Sequence, residues 1–324
     1  MPRPADRLLP VLAALVTVLF WASAFVAIRH VRTDFAAGPL ALGRLLVGSV
    51  VLGGVALPRR RRWPDRREWT LLAVCGLGWF GVYNVALNAA ERRLDAGTAA
   101  MLVNVGPILV AVLAGVLLKE GFPRRLLTGF AVAFAGVVVI GLASSARSGA
   151  DGWGVLLCLL AAAGYAVGMV AQKPLLARLP ALQVTWLACT IGLAGCLPFG
   201  PALVRELSAA RPSSIGWVVY LGAMPTALAF TTWAYALSRT TAGRLGATTY
   251  LVPPLTILLG WLLLAETPVP LAFAGGGLCL AGVLLARSRG RRPTQPAAQP
   301  VDPAEREPDP PVDPAPVPTP VGQP

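Results

Sequence analysis

Ten apolar runs, each close to the roughly 20 residues that cross a bilayer as a helix, take up most of the chain between residues 8 and 286. The first five cover residues 8–28, 38–57, 69–90, 96–118 and 126–142; the second five cover 152–172, 182–199, 215–237, 246–265 and 269–286. Inside lipid every backbone polar group must bond within the protein, which leaves helices for runs of this length. The expected fold is an all-α integral membrane protein of ten transmembrane helices. Composition agrees. The chain is 56% hydrophobic and 13% charged, about half the ~25% charge of soluble domains. An ordinary soluble enzyme and a disordered chain are both excluded.

Lys and Arg favour the cytoplasmic ends of membrane spans. With the N-terminus inside, the inner segments carry 20 of the 28 basic residues and the outer segments 7, with Arg44 inside a span. The largest inner cluster runs through Arg59, Arg62, Arg66 and Arg67. Both termini are therefore expected in the cytoplasm of a plasma-membrane protein. Ala22-Ser23-Ala24 looks like a signal-peptidase site, but its apolar run continues to Ile28 and has a counterpart at 152–172. It is read as a retained first span.

The net charge of +13 comes from Arg and Lys in short clusters between apolar runs. No basic stripe interleaved with stacking aromatics is present, so no nucleic-acid partner is expected. The partners are the lipid bilayer and a small-molecule substrate. Twelve prolines fall between Pro293 and Pro324, and such a segment cannot pack a core. Residues 287–324 are expected to form a disordered cytoplasmic tail.

The five cysteines, Cys75, Cys158, Cys189, Cys196 and Cys279, all lie in apolar runs, and His30 is the single histidine. That set offers no metal-ligand spacing. Neither a metal nor a cofactor is expected. A membrane enzyme would need clustered acid, base or nucleophile groups at one surface, and the chain does not supply them.

Residues 96–140 align with 242–286 without a gap at an offset of 146, and 12 of the 45 columns are identical. The informative matches are Pro107 with Pro253, inside a span, and Glu120 with Glu266, at its end. Near the start of each half, Trp21 to Arg29 resembles Tyr165 to Lys173 at an offset of 144. The unit is five spans. Because five is odd, the second copy enters the membrane from the opposite side, an inverted repeat that suits alternating access around a midplane site. A receptor or scaffold signalling through the tail is the competing reading, but it has no use for this symmetry.

The stretches "AGTAAMLVNVGPILVAVLAGVLLKE" and "AGRLGATTYLVPPLTILLGWLLLAE", with "WASAFVAIR" and "ALGRLLVGSVVL" nearer the start, resemble the tandem EamA domains of the drug/metabolite transporter superfamily. The resemblance covers residues 8–286. It implies a first repeat at 8–142, a second at 152–286, and a central cavity between them. It also implies export of small organic metabolites such as amino acids, related metabolites or drugs.

Several residues within the runs are candidates for that task. Pro107 and Pro253 remove a backbone donor and are read as gating positions in kinked helices. Arg44, costly in a span unless paired or hydrated, is read as a site for an anionic or carboxylate group. Trp21, Tyr83, Asn84, Asn104, Tyr165, Trp233 and Tyr250 are the polar and aromatic side chains expected to line the cavity. Glu120 and Glu266 are read as interfacial carboxylates that pair with loop bases. No Asp or Glu lies deep within a run, so efflux driven through a midplane glutamate is not expected. Gly129, Ala133, Gly136, Gly275, Gly276, Gly277, Ala281 and Gly282 permit close helix approach, within the chain or at a homodimer face.

Overall fold

The structure is a computed structural model that describes residues 4–59, 62–93, 99, 102–145, 151–264 and 270–287. Ala96, Gly97, Arg147, Glu266 and the proline-rich tail lie outside these residues. Every secondary-structure element among the described residues is helical. Among the described residues seven helices are long and apolar enough to cross a membrane, and Gly106–Leu117 and Phe273–Ala286 are shorter apolar helices.

The first half contains α1 (Pro4–Val31), α2 (Ala37–Ala56), α3 (Arg66–Cys75), α4 (Tyr83–Ala90), α5 (Gly106–Leu117) and α6 (Arg124–Ser145). The second contains α7 (Gly152–Leu175), α8 (Ala181–Cys196), α9 (Gly200–Ala209), α10 (Pro212–Leu221), α11 (Ala229–Arg239), α12 (Ala242–Thr248), α13 (Val252–Leu264) and α14 (Pro270–Arg287). The run at 182–199 extends further than its hydropathy suggests, through a 3-10 turn at Leu197–Phe199 into α9. Large apolar side chains such as Val50, Val204 and Leu284 point outward. In water that would be an aggregation hazard; for helices of this hydropathy it is the lipid-facing surface.

Two helical rods are interrupted at corresponding places. Gly76–Val82 joins α3 to α4, and Gly222–Leu228 joins α10 to α11, each as a π-helical segment. Their starts differ by the same 146 residues as the aligned prolines. In the second segment the cause is Pro225, which lacks an N–H and whose ring crowds the carbonyl four residues back, at Leu221. The Thr226 hydroxyl donates to that carbonyl at 2.8 Å instead. In the first segment the Asn84 amide donates to Phe80 O at 2.8 Å. Side chains thus supply the bonds that the widened turns give up.

Glycines let these segments pack across the halves. A Cβ at Gly76 would lie 2.6 Å from Ala188 O, and one at Gly222 would lie 2.7 Å from Arg44 O. Gly48 faces Gly222 and Thr226, while Gly192 faces Gly76 and Phe80. Helix two of each half therefore packs on the π segment of the other.

The small residues of α6 and α14 face one another. Gly129 meets Ala286, Ala133 meets Gly282, and Gly136 meets Gly275 and Cys279. Numbers rise along one helix as they fall along the other, so these sequence-equivalent helices run antiparallel. The Cys279 thiol donates to Ala133 O at 3.5 Å across the contact. Close packing within the chain occupies this stripe.

Candidate functional site

A cavity forms where α1, α2, α4, α7 and α11 meet the chain breaks ahead of α5 and α13. It holds at most about 730 Å³ of empty space, its open mouth included, which limits an occupant to a small molecule. Trp21 and Tyr165, aligned at the 144 offset, both line it, as do Val103 and Thr249, aligned at the 146 offset. Its wall is drawn from equivalent positions of both halves.

The aromatic wall is continuous. Trp79 lies 6.0 Å from Trp21, 5.2 Å from Tyr165 and 4.9 Å from Phe230, between ring centroids, with edge-on geometry in each case. Tyr83 adds a further ring 6.4 Å from Tyr165. Such a box presents π faces and edges to an apolar body or to a cationic amine.

Arg44 is the charged residue of the lining and is 5% exposed. Its Nε–H donates to the Thr226 hydroxyl at 3.1 Å. Among the described residues no carboxylate lies within ion-pair distance of it, and none lines the cavity. Four further N–H groups of its planar fork are left for an occupant. The Trp21 indole N–H is also buried without a hydrogen-bond partner. The arrangement can bind a carboxylate at one end and stack an apolar or amine-bearing remainder against the rings.

Trp21, Arg44, Tyr83, Asn104 and Tyr165 are thus brought together, with Pro107 beside them. Asn84, Trp233 and Tyr250 are not part of the lining. The Asn84 amide is turned back to its own helix, as the π segment requires. Trp233 is fully buried behind Trp21, with ring centroids 4.9 Å apart, and Tyr250 is fully buried against Phe130.

Pro107 lies in the first turn of α5, after a tight turn in which Val105 N donates to Leu102 O at 3.2 Å. Pro253 is the second residue of α13, after the 3-10 turn Thr249–Leu251. Pro107 thus starts a helix after a turn, whereas Pro253 lies within the helical run Ala242–Leu263, just after its 3-10 stretch. Asn104 and Thr249 sit in these two breaks and face the cavity.

Trp79, Phe230, Thr249 and Thr226 are absent from the residues picked out in the sequence. The signal for the Trp79 and Thr226 segments was a glycine pair in register, Gly76 with Gly222, and Pro225 inside an apolar run. Glu120 also differs from its expected role. Its Oε1 accepts from Ala242 N at 2.8 Å and its Oε2 from Gly243 N at 3.2 Å, so it clasps the start of α12. Lys119, at φ 54°, makes the left-handed turn that precedes it.

Among the described residues no group of His, Cys, Asp and Glu has the placement to hold a metal ion, and the five cysteines are free and buried.

The model of the EamA-like transporter family matches residues 8–142 and again 152–288. A probable terminal-alkyne amino-acid exporter of Streptantibioticus cattleyicolor is 39% identical over 283 residues, 86% of this chain and 94% of its own. An uncharacterised transporter of Bacillus subtilis is 30% identical over 81% of this chain and 86% of its own. A probable amino-acid metabolite efflux pump of Salmonella typhimurium is 27% identical over 84% and 92%. A solved crystal structure, 22% identical, shares the fold with a TM-score of 0.72 over 86% of this chain and 96% of its own. The chain is a multi-pass membrane protein and belongs to the EamA-like transporter family.

Proposed function

We propose that the chain exports small carboxylate-bearing metabolites, amino acids foremost, across the plasma membrane by alternating access. It does so as two inverted five-helix halves, 8–142 and 152–286, with both termini and the 287–324 tail in the cytoplasm. One observation carries the cargo class: Arg44, with no carboxylate within ion-pair distance among the described residues, faces a cavity walled by Trp21, Trp79 and Tyr165. A buried unpaired guanidinium is costly, and an anionic cargo removes that cost when it docks. The names of the Streptantibioticus and Salmonella relatives point to the same class of molecule.

Support for two interchangeable halves comes from the paired π segments, the crossed glycine contacts and the antiparallel α6–α14 packing. Trp21, Arg44, Tyr83, Asn104 and Tyr165 contact cargo; Asn84, Trp233 and Tyr250 shape the wall from behind; Pro107 and Pro253 mark the moving breaks. The chain carries out no covalent chemistry.

Flux from proteoliposomes loaded with L-norleucine or its carboxamide tests the cargo class. Efflux of the acid, with the amide left behind and Arg44→Gln inactive, is the expected result. Equal efflux of both compounds would reject the carboxylate reading.

A further inference from the structure

The cavity face of α4 carries Tyr83 and Leu87, and one turn further on that face is Glu91. The Glu91 N–H donates to Leu87 O at 2.9 Å, so the helical register reaches it. The residue is half-buried, and its Oε1 is fully buried without a hydrogen-bond partner. It stands just past the span Arg66–Ala90.

Among the described residues the charged groups acting on it are basic. Arg29 in the last turn of α1, Arg32 just beyond it and Arg44 on α2 all act on the Glu91 charge. Tyr83 on its own helix and Cys158 on α7 face it as well. Further charges among the described residues near it have partners. Arg92 donates to the carbonyls of Arg32 and Phe35, Arg93 pairs with Asp151, and Asp34 pairs with Arg211. Burial pushes the Glu91 carboxyl up to about 8, against the pull of the three arginines.

We infer that Glu91 is a proton-binding site that sets the anion affinity of Arg44. With Glu91 protonated, the positive field of Arg44 acts in full on a carboxylate in the cavity. With Glu91 ionised, part of that field is neutralised and the incoming anion is repelled. Linkage makes the effect mutual: a bound anion raises the proton affinity of Glu91 by the same factor. In the proposed orientation Glu91 lies toward the outer mouth, so its ionisation weakens cargo binding where cargo leaves. The inference rests on the reading of Arg44 as the anion site.

Two measurements on the purified full chain test it. The first is an infrared pH titration without cargo, following the protonated-carboxyl band that Glu91→Gln removes. That band is expected to disappear around pH 8 in the wild type, to persist to higher pH in Arg44→Gln, and to keep its midpoint in Arg44→Lys. Absence of a Glu91 band near that pH, or a midpoint unmoved in Arg44→Gln, overturns the inference. If Arg44→Gln does not fold, a bound L-norleucine carboxylate provides the same perturbation and must shift the midpoint upward.

The second is tryptophan fluorescence with L-norleucine and its carboxamide, from about pH 6 to about pH 9. The wild type is expected to lose about tenfold in norleucine affinity per unit of coupling, and Glu91→Gln to show a flat profile. Equal binding of acid and amide would sink the reading of Arg44 and leave the infrared result to decide the proton site. Binding that requires the carboxylate, with one pH profile for both proteins, would sink the role of Glu91 alone.

Discussion

The Arg44 Nε–H donates to the Thr226 hydroxyl at 3.1 Å across 182 residues of sequence. That hydroxyl also donates to Leu221 O, the carbonyl freed by Pro225. A proline-induced widening in the second half therefore aims Arg44 of the first half, the cation lining the cavity among the described residues. The pairing has no counterpart. Ala188 and Phe80 stand at the equivalent positions, so the repeat carries charge on one side only.

Thr226→Val keeps the volume and removes both bonds. Arg44 loses its fixed orientation and Leu221 O its partner. The apparent cargo affinity is expected to fall about threefold to tenfold, the equivalent of about 1 kcal/mol, with a modest drop in melting temperature. Thr226→Ser restores the hydroxyl and should recover most of both. Wild-type KM in the valine variant would show that Thr226 does not position Arg44.

Much of this site was legible because polar and charged side chains are rare in apolar runs. Arg44, Asn104 and Tyr165 stood out for that reason, and the 144 offset already tied Trp21 to Tyr165. Phe230 and Val252 were not legible, since apolar residues give no sign of which side of a membrane helix they occupy. Asn84 misled in the opposite sense. Its amide satisfies Phe80 O inside a π segment, and hydropathy carries no trace of an i to i+5 turn. Pro107 and Pro253 were found as a pair, but the turn before Pro107 and the 3-10 stretch before Pro253 show only in the backbone.

Glu120 holds two backbone amides at the start of α12 with both carboxylate oxygens. Charge-assisted bonds of this kind are about twice as strong as neutral ones. Glu120→Gln is expected to cost about 1 kcal/mol and Glu120→Ala about 2 kcal/mol, seen as stepwise losses in melting temperature. Lys173 should limit the damage, since its ammonium already ties α7 to Leu237 O at 2.6 Å and to Thr240 O. An unchanged melting temperature in the alanine variant would reduce the clasp to a passive contact.

Two carboxyls should give stability opposite pH dependences. Asp34, bonded to Arg211 Nε at 3.0 Å, is held well below the usual carboxylate range by that guanidinium. Its contribution is complete above the ordinary carboxylate range and fades as pH falls toward its lowered value. Glu91 is raised by burial to about 8 from 4.5. Its contribution is complete below 4.5 and fades as pH rises through about 8. Glu91→Gln should therefore melt higher than the wild type above about pH 8, with the gap closing toward pH 5. Asp34→Asn should melt lower at neutral pH, with its gap closing in acid. Parallel melting curves for either variant across the range would contradict the assigned environment.

The paired prolines give the sharpest test of the moving parts. In the first turn of a helix an amide has no acceptor within that helix, so proline there sacrifices no bond and presets φ. Replacing Pro107 with Ala thus restores no missing hydrogen bond, whereas an amide at position 253 finds acceptors in the 3-10 stretch Thr249–Leu251 just before it. Pro107→Ala frees the unfolded chain instead and should lower stability by about 0.5–1 kcal/mol. If the breaks at Asn104 and Thr249 are where the halves flex, that freedom also biases one access state. Flux in each single variant should then fall by more than its small stability loss accounts for. In the proposed inverted arrangement the two substitutions bias opposite states, and the double variant should recover flux relative to either single. A purely structural role predicts the reverse for the double: flux falling in step with melting temperature, below either single. Flux and detergent melting measured together on the three variants separate the two roles, and unchanged flux in all three would remove Pro107 and Pro253 from the transport cycle.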